Sequence, residues 1–103
     1  NIIYNAVLAV NNQQIPVKFE LGQNFPNPFN PVTKIKYSVP KQSFVVIKIY
    51  DILGREVKTL VNDMRIAGNY EVDFNASYLA SGVYFYKMES GEFTDVKKLV
   101  LLK

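Results

Sequence analysis

The sequence predicts an all-β domain, a two-sheet antiparallel sandwich of about seven strands, and three observations lead there. Apolar and polar residues alternate with a period of two through most of residues 33–102, Gly, Pro, Asn and Asp break that alternation at short intervals, and no segment sustains a helical period. Strand spacing of this kind suits a β-sandwich rather than alternating strands and helices.

Each element has its own warrant. In Thr33–Val39, Ile35, Tyr37 and Val39 point one way and Lys34, Lys36 and Ser38 the other, and Pro40 closes the strand. In Phe44–Tyr50, Val45, Ile47 and Ile49 share a face opposite Val46, Lys48 and Tyr50. Asp51-Ile52-Leu53-Gly54 has Asp first and Gly last, as a type I turn prefers, and Val57 to Val61 reads as the returning hairpin strand. Asn62-Asp63 and Ala67-Gly68-Asn69 read as breaks. Tyr70, Val72 and Phe74 then alternate with Glu71, Asp73 and Asn75 as a half-buried strand. Gly82–Met88 is apolar on both faces until Lys87, the pattern of a central strand, and Ser90-Gly91 marks a tight turn. The last strand runs from about Phe93 to Leu102. Val96, Leu99 and Val100 also fit a helical stripe, but β-branching and the preceding turn favour a strand. This reading places Ile35, Tyr37, Ile47, Ile49, Val72, Phe74, Val83 and Phe85 on a shared core.

Residues 19–103 form one domain on this reading, and residues 1–18 a linker or an extra strand from a preceding region. Ile2–Val10 is apolar, and leaving it in water would be costly, so it is expected to form an additional strand, either from the tail of the preceding domain or paired onto an exposed sheet edge. Pairing between molecules would make the chain an oligomer through residues 2–10. The same stretch lacks a basic flank and an initiating methionine, so it does not read as a signal peptide, and the chain reads as an excerpt of a longer protein. No stretch approaches the ~20 apolar residues that span a bilayer.

Composition removes whole classes of chemistry. With no His and no Cys, neither a Ser-His-Asp or Cys-His nucleophile nor a zinc site of His or Cys is available. No phosphate-binding Gly loop and no metal-ligand spacing occur, so no cofactor is expected. Asp51, Glu56 and Asp73 are the carboxylates considered for a catalytic pair, but their spacing assembles no cleft and Asp51 is explained by its turn. The net charge of +3 fits lysines on outward strand faces, and no nucleic-acid motif accompanies it. A carbohydrate-binding role finds tyrosines but no tryptophan. The chain reads as a non-enzyme with 49% hydrophobic residues, enough for a packed core without disulfides.

The run Gln23-Asn24-Phe25-Pro26-Asn27-Pro28-Phe29-Asn30-Pro31 is the least ordinary segment. Prolines fix φ and remove backbone donors, so the run is neither helix nor central strand but a shaped connection. Phe25 and Phe29 are expected to plug one end of the sandwich. Asn27 and Asn30 suit turns as well as a contact surface.

These residues also carry a resemblance. Leu21–Pro31, the Tyr-Asp-x-x-Gly-Arg-x-Val turn at 50–57, Ala67-Gly68, Leu-x-Ser-Gly-Val-Tyr at 79–84 and the lysine-rich ending at 97–103 occur in order and at fitting spacing. Together they resemble the type A C-terminal sorting domain of the bacterial type IX secretion system. Asn69-Tyr70 stands where that family often has a histidine. The resemblance implies an immunoglobulin-like sandwich at the C-terminal end of an exported protein. It would be read by the outer-membrane translocon of a Gram-negative cell after passage through the periplasm, and commonly removed by a surface-processing peptidase. The cargo would then be secreted or held at the cell surface. Lys103 after Leu-Leu looks like the family's natural end. Candidate translocon-recognition residues are Asn27, Pro28, Gly82, Tyr84, Lys97, Lys98 and Lys103, the lysines forming an electrostatic strip. Gly54, Gly82 and Gly91 are also explained as backbone necessities, and Tyr84 and Tyr86 as core or interface aromatics whose hydroxyls need partners. The alternative reading is a passive immunoglobulin-like spacer or adhesive module of a large surface protein.

Overall fold

A computed structural model describes residues 15–103, and these form seven β-strands with no helix. The strands are β1 Glu20–Leu21, β2 Val32–Val39, β3 Ser43–Tyr50, β4 Glu56–Arg65, β5 Gly68–Asn75, β6 Gly82–Ser90 and β7 Phe93–Leu101. They make one sheet in the order β1-β2-β5 and a second in the order β4-β3-β6-β7, every pairing antiparallel. This is a β-sandwich of the immunoglobulin-like kind. Its fourth strand joins the second sheet beside β3 instead of the first sheet beside β5, unlike an immunoglobulin constant domain. The strand expected at Ile2–Val10 lies outside the described residues.

Alternation builds the core as anticipated in β2 and β3. Ile35, Tyr37, Val39, Val45, Ile47 and Ile49 are buried, and Phe74 and a half-buried Val72 join them from β5. In β6 the inward set is the reverse of the expected one. Tyr84, Tyr86 and Met88 are buried, while Val83 and Phe85 turn outward and stay half-exposed. With both faces apolar, the strand's own sequence does not specify which one is inside, so pairing decides. Residues directly opposite in an antiparallel pair share a face, and Ile49 opposes Tyr86 while Ile47 opposes Met88.

Three further expectations are corrected. Asn62-Asp63 is no break, because β4 runs through it to Arg65, paired with Val46 and Val45. As an edge strand β4 tolerates polar residues on its open side, and two irregularities in its register, opposite Ile47/Lys48 and Ile49/Tyr50, bend it. These bring Val57 and Leu60 against the core. Phe25 does not plug the sandwich. It is 80% exposed, whereas Phe29 is 2% exposed and packs on Phe74 with ring centroids 6.1 Å apart. The last strand ends at Leu101 instead of Leu102.

Two tyrosines fix the crossings between sheets. Tyr70 donates its hydroxyl to Ile66 O at 2.6 Å, and Tyr84 donates to Ala80 O at 2.7 Å, each four residues back. Both follow the logic of the tyrosine corner, in which a phenol ties a strand's start to the loop that feeds it.

Candidate functional site

The proline-asparagine segment is held from three sides. Gly22 N donates to Lys36 O at 2.7 Å, a close approach in which a Cβ at position 22 would meet that oxygen at 3.0 Å. Behind it lies Tyr86, fully buried on the central strand of the other sheet. Its hydroxyl donates to Gly22 O at 2.6 Å and accepts from Asn24 N at 2.8 Å. Burial pushes the Tyr86 phenol up to about 12, opposed by the bond from Asn24 N. Asn24, 2% exposed, donates through Nδ2 to Pro26 O and to Thr33 Oγ1, both at 3.1 Å, and Thr33 donates to Pro26 O at 2.8 Å. Every polar group of this small buried network is satisfied, which makes the loop's shape specific. The peptide bonds before Pro26, Pro28 and Pro31 are cis.

So held, the segment lies along the outer edge of β7. Gln23 Nε2 donates to Lys98 O at 2.7 Å, and Asn27 Oδ1 accepts from Val100 N at 3.0 Å. Phe29 N donates to Val100 O and Phe29 O accepts from Leu102 N, both at 3.0 Å, a short parallel bridge. These contacts occupy outward backbone groups of the last strand from Lys98 to Leu102. An edge strand left open is a template for unwanted pairing, and here side chains and a loop backbone close it. Removing the segment's own donors with proline leaves Asn and Gln side chains to do part of a strand's work.

The predicted site residues divide. Asn27 and Pro28 lie on the clamped edge, Gly82 pairs with Leu101 and Tyr84 with Leu99. Lys103 N donates to Ser81 Oγ at 2.9 Å and its Nζ to Ser77 O at 2.7 Å. These five therefore gather around residues 99–103. Lys97 and Lys98 do not form one strip with them, because neighbours in a strand face opposite ways. Lys97 turns toward the inter-sheet side, 3.7 Å from Asp95, and Lys98 turns outward beside Phe85. Sequence reasoning missed Gln23, Asn24, Thr33 and Tyr86 as a unit. The signal available was an Asn and a Gln in a proline-rich segment followed by strands carrying Thr and Tyr, but no spacing rule joins positions 24 and 86.

The turn motif is equally well built. Asp51 accepts from Leu53 N and Arg55 N at 2.9 Å and from Arg55 Nε at 2.8 Å, while Gly54 N donates to Asp51 O at 2.9 Å with Gly54 at φ +83°. The backbone bond from Arg55, with lesser help from its guanidinium and from Leu53 N, holds the Asp51 carboxyl below its usual range. Among the described residues no group of three His, Cys, Asp or Glu side chains is placed to hold a metal ion, and no helix is long and apolar enough to cross a membrane.

Comparison with known proteins agrees with this geometry. The chain is similar to the crystal structure of dimeric latent PorU from Porphyromonas gingivalis, with a TM-score of 0.62 at 19% identity, over 82% of this chain and 9% of that one. It is also similar to PorZ, described as an essential bacterial surface component of the type IX secretion system of Porphyromonas gingivalis. There the TM-score is 0.55 at 21% identity, over 82% of this chain and 11% of that one. The chain thus spans about a tenth of each of those proteins, and the likeness is one of fold. No curated protein matches it. A family model described as the secretion system C-terminal sorting domain matches residues 23–102, from the first clamp residue to the last, Leu102. The chain belongs to that family, the C-terminal sorting signals of type IX secretion.

Proposed function

We propose that this domain is a folded, non-catalytic address, read as a surface by the outer-membrane type IX translocon and then removed by a surface-processing peptidase. The cargo ahead of it is delivered through the periplasm to the cell surface or the medium of a Gram-negative bacterium. The observation that carries this reading is the clamp of Gln23, Asn27 and Phe29 on Lys98–Leu102. The two ends of the matched region, distant in sequence, form one continuous surface, so a receptor can test whether the domain is complete and folded. Asn27, Pro28, Gly82, Tyr84 and Lys103 belong to that surface, with Tyr84 acting from beneath it.

Fusing the chain to the C-terminus of a periplasmically exported reporter, in a host with type IX machinery, should send the reporter across the outer membrane. Retention of a folded fusion in the periplasm would leave the spacer reading in its place. Deleting Lys97–Lys103 should also trap the reporter, but that change removes much of a strand. Asn27→Ala, which leaves every strand intact, is the sharper variant.

A further inference from the structure

Strand β6 is patterned for cover on both faces, yet the domain covers only one. Tyr84, Tyr86 and Met88 fill the core, while Val83 and Phe85 point away from it. Phe85 stands between Tyr50 on β3 and Lys98 on β7, and Val83 opposes Val100. Val96 opposes Lys87 beside them, and Ile52, 70% exposed, stands over the same face from the Asp51 turn. Tyr50, Ile52, Phe85, Lys87 and Val96 line an open depression of about 310 Å³. Ile52 is no part of the buried core, and the Asp51 bonds to Leu53, Gly54 and Arg55 hold the turn backbone that carries it. A rigid apolar patch around a shaped recess is the form of an interaction surface.

The charges around it indicate the partner. Lys48 and Lys87 are cross-strand neighbours on this face, Lys87 lies 5.5 Å from the centroid of the Tyr50 ring, and Lys98 borders Phe85. Glu56 pairs with Lys48 at 3.2 Å and Glu89 with Lys87 at 3.6 Å, whereas Lys98 makes no ion pair among the described residues. A second copy of the chain on the same face would bring Lys98 no free carboxylate, because Glu56 and Glu89 there are already engaged by Lys48 and Lys87. We infer that the outer face of β3, β6 and β7 docks a protein of the export machinery. That partner places an aliphatic or aromatic side chain in the depression and a carboxylate on Lys98. The inference rests on the sorting function and names a face for it that meets the clamped edge at Lys98, whose carbonyl holds Gln23 while its side chain turns outward.

The test uses the reporter fused to the whole chain, unaltered or carrying Ile52→Ser with Val96→Gln. Both positions are more than half exposed, so melting should be unchanged. Export should fall at least about tenfold in the double variant. Lys98→Glu, which touches no core residue, should lower export similarly, while Lys98→Arg keeps it. If the unaltered fusion is exported and the double variant and Lys98→Glu are exported equally well, the docking surface is overturned and the sorting function stands. If the unaltered fusion is not exported, both fall. Light scattering on the chain should give a monomer. A dimer that the double variant dissociates would assign the face to a second copy and overturn the inference.

Discussion

Asn27 Oδ1 accepts the backbone N–H of Val100 at 3.0 Å, joining the proline-rich segment to the last strand across 73 residues of chain. The bond replaces one rung of a β-ladder with a side chain, at an edge that a neighbouring strand would otherwise occupy.

Its removal is readable at one amide. Asn27→Ala should lower stability by about 1 kcal/mol, the net worth of one such bond. It should also speed hydrogen exchange at Val100 N more than at Leu102 N, which keeps its bond to Phe29 O. Equal protection at Val100 in both proteins would show that the clamp does not hold the edge.

Tyr86 provides the second test, through its hydroxyl. Tyr86→Phe leaves Gly22 O and Asn24 N without their partner and should cost about 1–3 kcal/mol in denaturant unfolding. The phenol is raised from an unfolded value of ~10 to about 12. Its contribution is therefore complete below pH ~10 and is lost as pH rises toward 12. The unaltered protein should lose stability across that window more steeply than Tyr86→Phe, and its tyrosine absorbance titration should show a late component that the variant lacks.

The inward face of β6 is tested by contrast. Met88→Ala and Ile49→Ala should each cost about 2–5 kcal/mol, since both side chains are fully buried, Met88 opposite Ile47 and Ile49 opposite Tyr86. Val83→Ala, on the outer face, should cost under ~1 kcal/mol. A reversal of that order in chemical denaturation would restore the opposite register.

The Asp51 turn has a pH signature of the other sign. Its carboxyl is lowered in the folded state, so its contribution is present above the unfolded value of ~3.9 and is lost as pH falls through the folded one. Asp51→Asn should melt lower at neutral pH, and its melting temperature should fall less between pH 5 and pH 2 than that of the unaltered protein.

Alternation alone is enough to specify the strands that have one apolar face. In β2 and β3 the alternation of Ile35, Tyr37 and Val39 and of Val45, Ile47 and Ile49 admits a single inward side. The Asp51-to-Gly54 turn is likewise local chemistry, complete within five residues. Tertiary structure decided the rest wherever the sequence was locally neutral. β6 has two apolar faces, and only its opposition to Ile47 and Ile49 turned Tyr86 and Met88 inward. β4 carries Asn62 and Asp63 without ending, because an edge strand exposes polar side chains at little cost. Asn24 gives no sign in the sequence of its bond to Tyr86, because a partner 62 residues away is chosen by packing, and packing has no period to read.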